Sequence, residues 1–237
     1  MRIFALSAAL LLVSCVPKAA APELLPLPKE VEWKGGTVPE TLPVAVLRGP
    51  VDVPLNPEQA YRLSVDRDSI RITAMGDEGL WNALQTLRQL TRSSRIPRCT
   101  VTDWPSFRVR GWMMDVGRTY ISMEELCREV DVFSRFKLNV FHLHLTENEA
   151  WRMESLRYPQ LNAPETMSRQ PGLFYTQEEL RALDEYCRER GVTLVPEIDM
   201  PGHSAAFGRA MGFGMQTPEG LAVVKGLLEE VMEKAFQ

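Results

Sequence analysis

The 237-residue chain is 45% hydrophobic and 24% charged, with 17 Pro, 15 Gly and a formal net charge of -4. That balance is ordinary for a globular protein and excludes collagen-like, low-complexity and disordered chains. A mildly acidic chain without a Lys/Arg block has no electrostatic footprint for nucleic acid. Four cysteines without a C-x-x-C pair supply neither a zinc cluster nor a disulfide framework, and with three histidines a metal site built on imidazole would consume nearly all of them.

Met1-Arg2 is followed by the apolar run Ile3 to Val13, too short for a bilayer core, which takes about 20 residues; it reads as an export signal. The run ends in Ser14-Cys15. A small residue before a lone cysteine at this place resembles the lipobox of bacterial lipoproteins, which implies cleavage and lipidation at Cys15. The membrane would then be met through the lipid anchor alone. An ordinary export signal cleaved nearby is the alternative, and either one places the protein in the periplasm or at the outer surface of a bacterium. Pro17 to Pro22 reads as a tether, so that residues 1–22 form an address rather than a domain. Cys99, Cys127 and Cys187 are scattered and read as buried, unpaired thiols.

Residues 23–105 predict a small α+β domain. Tyr61, Leu63 and Val65 alternate with polar residues, 66–69 turns the chain, and Ile70, Ile72 and Ala74 alternate again, the pattern of a hairpin with one buried face. Leu80, Leu84, Leu87 and Thr91 then fall at helical spacing after Gly79.

From residue 106 the rhythm becomes strand, helix, strand, helix. Val109–Val116, Leu138–Leu145 and Val192–Ile198 read as strands. Ser122 and Thr176 each stand three residues before a Glu and open helices as capping boxes. Leu126, Val130, Phe133 and Phe136 trace the buried stripe of the first helix; Leu180, Leu183 and Cys187 trace that of the second, which Gly191 ends. Thr217-Pro218 starts a third helix with Leu221, Val224, Leu228 and Val231 on one face. Three successive β/α units predict a parallel sheet, with the first three units of a TIM (β/α)8 barrel as the leading architecture. Residues 106–237 are about half of the roughly 250 that a full barrel takes. The expectation is an incomplete barrel, cut before a fourth strand.

Active sites of parallel β/α folds lie at the carboxyl ends of the strands. Polar residues crowd those places: Asp115 to Arg118, His142 to Glu147, and Glu197 to His203. Arg118 follows a strand and suits a ligand role, against the alternative of a plain surface arginine. His142 and His144 share one strand face, as pocket lining or as core histidines. Glu147 is a site carboxylate or a loop carboxylate, and Asp199 with His203 across a Pro-Gly turn suggests an oriented imidazole. Trp112, Trp151 and Phe207 suit a core better than sugar platforms.

Several spaced motifs then occur in one order: Arg110-Gly111 through Asp115-Val116-Gly117-Arg118, Lys137 to Thr146, Trp151-Arg152-Met153-Glu154, Tyr158-Pro159-Gln160-Leu161, Phe174-Tyr175-Thr176 and Val195 to His203. They closely resemble the β-N-acetylhexosaminidases of glycoside hydrolase family 20. The small domain matches too, through Gly79-Leu80, Thr86-Leu87, Ile96-Pro97 and Thr102-Asp103-Trp104-Pro105. The resemblance implies exo-hydrolysis of terminal β-linked N-acetylglucosamine or N-acetylgalactosamine from glycans, with retention. The substrate's acetamido oxygen acts as nucleophile, and no metal or cofactor takes part. It makes Arg118 a ligand of sugar hydroxyls, beside His144 as a further substrate contact, and puts Glu147, Asp199 and His203 in the network that supports the catalytic acid. Position 147 usually carries Asp in this family; here it is Glu147 followed by Asn148.

The family's adjacent Asp-Glu pair, one residue orienting the acetamido group and the other protonating the leaving oxygen, belongs on a fourth strand. The only adjacent Asp-Glu pairs here are Asp77-Glu78 and Asp184-Glu185, and neither follows a strand of the predicted barrel. No catalytic acid is therefore assigned, and no hydrolysis is expected from these residues alone. Two further readings stay open. One is a non-catalytic sugar-binding remnant at the cell surface. The other is a metal-dependent amidohydrolase-like barrel, to which His142-x-His144 would belong; that fold needs further histidines, and only His203 remains.

Overall fold

The computed structural model describes residues 22–91 and 94–232; Cys15 and the export signal lie outside the described residues. The small domain is built from β1 (Glu30–Pro39), β2 (Val44–Arg48), β3 (Tyr61–Val65), β4 (Ile70–Ala74), α1 (Asp77–Leu90) and β5 (Arg95–Asp103). Its five strands lie in the order β1-β5-β3-β4-β2. β3 and β4 pair antiparallel with Tyr61 opposite Ala74 and Val65 opposite Ile70, and the alternating residues of both strands are buried, as a one-faced hairpin demands.

The helix covering this sheet is rotated from its expected stripe. Gly79, Ala83, Thr86 and Leu90 are buried, while Leu84 is 38% exposed. Gly79 explains the rotation: a Cβ there would stand 2.3 Å from the Ala60 carbonyl oxygen, so the helix approaches the sheet on its smallest residue.

The second body contains β6 (Gly111–Asp115), α2 (Met123–Arg135), β7 (Val140–His144), α3 (Gln177–Arg188), β8 (Thr193–Glu197), α4 (Ala205–Met211) and α5 (Pro218–Glu230). β6, β7 and β8 form a parallel sheet in sequential order. Each strand is shorter than its apolar run; Val109 precedes β6 and is 66% exposed. Ser122 caps α2 by accepting from the Glu125 amide, and Thr176 with Glu179 makes the full reciprocal box on α3. Phe136 falls just past the end of α2 and is 43% exposed, so the buried stripe stops at Phe133.

α5 departs most from its apolar pattern. Leu221 and Leu228 are 60% and 40% exposed, and Val223, Val224 and Leu227 pack inward instead. Three residues set that rotation. Gly220 passes so close to the Gly214 carbonyl, and Gly226 to the Tyr158 hydroxyl, that a Cβ would stand 2.1 and 2.5 Å away. Glu230, 4% exposed, accepts from Ser155 Oγ (2.8 Å), the Leu156 amide (2.7 Å) and Gln177 Nε2 (2.8 Å). A buried carboxylate with this many donors outranks two leucines in fixing a helix face. α4, Ala205–Met211, lies in a stretch whose sequence predicts no helix.

Register divides the parallel sheet into layers. Trp112, Phe141 and Leu194 face the helices, with Trp112 stacked on Phe141 at 4.7 Å; Trp151 and Phe207 are also buried in that core. The opposite face carries Met113, His142 and Val195 in one row and Asp115, His144 and Glu197 in the next, at the carboxyl ends.

The small domain docks at the other end of these strands. Lys137, just before β7, is 5% exposed and donates to Asp103 Oδ2 (2.8 Å) and Tyr61 Oη (3.0 Å). Arg110, just before β6, donates to the Lys137 carbonyl (2.7 Å) and to Gln59 Oε1 (2.6 Å). Gly191, at φ +68°, lies against Trp81. The Lys137-Leu138-Asn139 motif is thus a docking element, remote from the carboxyl ends.

Burial pushes the Cys99 thiol up to about 11 and the Cys187 thiol up to about 12, and raises Tyr61 and Tyr175 as well. The unfolded chain releases those thiol protons from about pH 9, whereas the folded chain holds them, so stability is full below that pH and falls as pH rises through the window. Denaturant midpoints are expected to drop steadily between about pH 9 and 12, and less steeply in a Cys99→Ala/Cys187→Ala variant. Equal slopes would mean that the thiols are not buried.

Candidate functional site

Three short segments at the strand ends converge on the Glu147 carboxylate. The first follows β6. The Val116 and Gly117 amides both donate to the His144 carbonyl, at 3.1 and 3.2 Å, which turns the chain over the end of β7. Gly117 is needed there because a Cβ would stand 2.7 Å from Glu147 Cβ. The Arg118 amide caps Asp115 Oδ1 at 2.9 Å, and its guanidinium bridges Asp115 through Nη1 and Glu147 through Nη2. The bond to Asp115 holds the guanidinium pKa above even its usual value. The Arg118 side chain remains 46% exposed, whereas that of Glu147 is 1% exposed.

The second segment follows β7. The Glu147 amide donates to the Ala150 carbonyl (3.0 Å), and the Asn148 amide donates to Glu147 Oε2. Oε1 is left facing Arg118 and His203. Asn148 ties the loop to α4, accepting from the Ala205 amide at 3.2 Å and, through its carbonyl, from Arg209 Nη2 at 2.6 Å.

The third segment follows β8. The Asp199 amide donates to Thr146 Oγ1 (3.0 Å), and His203 Nδ1 lies 2.5 Å from Glu147 Oε1 and 3.4 Å from Asp199 Oδ2. His203 has φ +47°, a left-handed conformation costing about 1–2 kcal/mol outside glycine. Nδ1 also lies 3.5 Å from Arg118 Nη2, so the imidazole stands between the guanidinium and the two carboxylates, on a ring whose side chain is 47% exposed.

His144 sits behind this cluster, its side chain only 6% exposed. Its Nδ1 lies 3.1 Å from Glu197 Oε2, and His142 Nε2 lies 2.5 Å from the same oxygen. His144 Nε2 has no partner and lies 3.9 Å from Glu147 Oε1. His142 is in the middle of β7 rather than at its end. Arg118, Glu147, Asp199 and His203 are therefore brought together, with His144 as their floor. Asp115, Glu197, Asn148 and Arg209 complete the arrangement. The first two stand among the polar residues that the sequence places at strand ends; nothing in the sequence gives Asn148 or Arg209 a role.

His144, Glu147 and His203 offer ligand atoms within 4.8 Å of one another, a set that suits zinc by type. Glu147 Oε1, however, is already shared by the Arg118 guanidinium and His203, and a metal there would face a permanent positive charge. The donors fit a guanidinium–carboxylate–imidazole cluster better than a metal centre. Such a cluster offers planar cationic donors and carboxylate acceptors, the equipment for neutral polyols. The adjacent Asp-Glu pairs lie elsewhere, Asp77-Glu78 in the first turn of α1 and Asp184-Glu185 within α3.

Sequential parallel strands with a polar cluster at their carboxyl ends define the β/α-barrel class of domain. Residues 107–233 match the catalytic domain of glycosyl hydrolase family 20 and residues 29–104 match domain 2 of that family; the chain belongs to it. It is 39% identical over 172 residues to a beta-hexosaminidase of Vibrio furnissii, covering 65% of this chain and 28% of that protein. To a beta-hexosaminidase of Akkermansia muciniphila it is 35% identical over 213 residues, covering 83% of this chain and 42% of the relative. Its fold matches the exo-β-N-acetylglucosaminidase of Vibrio harveyi solved with N-acetylglucosamine, at a TM-score of 0.80 and 27% identity, over 90% of this chain and 45% of that one. A β-N-acetylhexosaminidase from Bacteroides fragilis matches at 0.78 and 28%, over 88% and 54%. The chain thus spans well under half the length of these two sequence relatives.

Proposed function

We propose that these residues form the substrate-holding part of an exo-acting β-N-acetylhexosaminidase, which removes terminal β-linked N-acetylglucosamine or N-acetylgalactosamine from glycans. The observation that carries this reading is the half-exposed Arg118 guanidinium, aligned by Asp115 and the buried Glu147 at the carboxyl edge of a family 20 domain. A planar fork held by two carboxylates presents its remaining N–H groups in fixed directions, which suits adjacent sugar hydroxyls. His203, its Nδ1 2.5 Å from Glu147 Oε1 and its side chain 47% exposed, adds a half-open imidazole beside the guanidinium. In a substrate-assisted reaction the acetamido oxygen attacks the anomeric carbon while a carboxylic acid protonates the leaving oxygen. Among the described residues no adjacent Asp-Glu pair stands at the carboxyl end of a strand of this sheet. Their part is binding and orientation.

The test is titration of the chain with N-acetylglucosamine, alongside an aryl N-acetylglucosaminide assay. Saturable binding lost in Arg118→Ala, without turnover, is expected. Binding unaffected by that substitution would refute the site, and turnover would show that an acid resides among these residues. We further propose that the chain is exported and carries lipid on Cys15. Metabolic labelling with a fatty acid, abolished by Cys15→Ser, checks it; unlabelled soluble protein would leave an ordinary export signal.

A further inference from the structure

Arg152 is the only buried arginine among the described residues, 0% exposed, and no carboxylate pairs with it. Its guanidinium is spent on backbone carbonyls. Nε donates to Val116 (3.0 Å), Nη1 to Gln170 (3.0 Å) and Leu173 (2.7 Å), and Nη2 to Arg169 (3.0 Å). Burial lowers its pKa. A buried charge without a counter-ion is costly to desolvate, and here four carbonyl acceptors offset that cost. Its value lies in geometry, because four carbonyls from two separate segments are held at fixed angles by one rigid fork.

What the fork holds is the turn that carries Arg118. Val116 stands two residues before Arg118 and is tied to the 169–173 loop through Arg152. Tyr120 stands two residues after it and is tied to the same loop, its amide donating to Gln170 Oε1 at 2.6 Å. Gln170 has φ +46°, a strained conformation that faces its carbonyl to Arg152 and its side chain to Tyr120. The Arg118 side chain is half open and is held at its tip by Asp115 and Glu147, so the turn that carries its backbone decides how the fork meets those two carboxylates.

We propose that Arg152 is a positioning residue for the sugar-binding cluster: it clamps the 115–120 turn to the 169–173 loop and thereby sets where the Arg118 fork points. The proposal rests on Arg118 being a sugar ligand, but the clamp itself is measurable without sugar. Arg152→Lys keeps the charge and loses the fork. Amide hydrogen exchange of this variant is expected to accelerate about tenfold or more in 115–120 and 169–173, with β3 and β4 unchanged. Affinity for N-acetylglucosamine is expected to fall about 10- to 100-fold, the scale of a misplacement near 1 Å. A Val130→Ala control, chosen to lose comparable thermal stability, is expected to bind as the unsubstituted chain does. Local loosening in a chain that never binds the sugar would uphold the clamp and overturn its link to sugar binding. Exchange rising everywhere, or affinity falling equally in the control, would make Arg152 merely structural and overturn the proposal.

Discussion

Asp103→Ala is expected to destabilise the protein by about 3–5 kcal/mol, the usual consequence of removing one partner of a buried ion pair. Lys137 then stays buried with only the Tyr61 hydroxyl to accept from it, at 3.0 Å. Desolvation already holds the Lys137 pKa below its ordinary value despite Asp103; without the carboxylate the ammonium is disfavoured further. The unfolded chain therefore binds more protons than the folded one over the interval below about pH 10.5, and this residue's contribution improves as pH rises through it. Lys137→Met combined with Asp103→Leu is expected to recover most of the loss, because both charges leave together. Urea unfolding of the three proteins checks this, and a cost below about 1 kcal/mol for Asp103→Ala would show that the pair is effectively solvated. The docking matters to function because it fixes the amino-terminal ends of β6 and β7, the far ends of the strands that present Asp115 and His144.

The second large effect falls on Glu147. Glu147→Gln is expected to lower N-acetylglucosamine affinity about 10- to 100-fold, matching the roughly 1.5–3 kcal/mol of a hydrogen bond to a charged group. The amide cannot hold the guanidinium and the imidazole together through one charged oxygen, as Oε1 now does. Glu147→Asp, the residue usual in this family, withdraws the carboxylate by about 1.5 Å, one carbon–carbon bond. It is expected to keep one of the two contacts and a smaller loss. Gly117→Ala reaches the same carboxylate from the opposite side, since the new methyl group would meet Glu147 Cβ at 2.7 Å. About 1–3 kcal/mol of destabilisation is expected with it, together with weakened binding. Thermal melts and sugar titrations of the three variants separate packing from ligand loss; full affinity in Glu147→Gln would remove Glu147 from the site.

The β/α rhythm was legible because helix caps and strand runs are local signals, and Ser122, Thr176 and Thr217 each start a helix where the sequence predicts one. Helix rotation was not. In α1 and α5 the leucines suggest one face, but Gly79, Gly220 and Gly226 choose another through backbone approaches that no periodicity encodes. The convergence of Arg118, Glu147, Asp199 and His203 could be anticipated from the carboxyl-end rule. The direction of each hydrogen bond could not, since it depends on register: Asp115, His144 and Glu197 fall in one row only once the strands are paired. Arg152 stood inside a recognised motif, yet its role appears only when four carbonyls from distant residues are found around it.

The most direct measurement is the structure of this chain crystallised and saturated with N-acetylglucosamine. The sugar is expected at the carboxyl ends of β6 to β8, with a ring hydroxyl oxygen about 2.7–3.2 Å from an Arg118 guanidinium nitrogen. Arg118 should still bridge Asp115 and Glu147. A sugar bound elsewhere at full occupancy, with Arg118 making no contact to it, would contradict a sugar-holding role for Arg118.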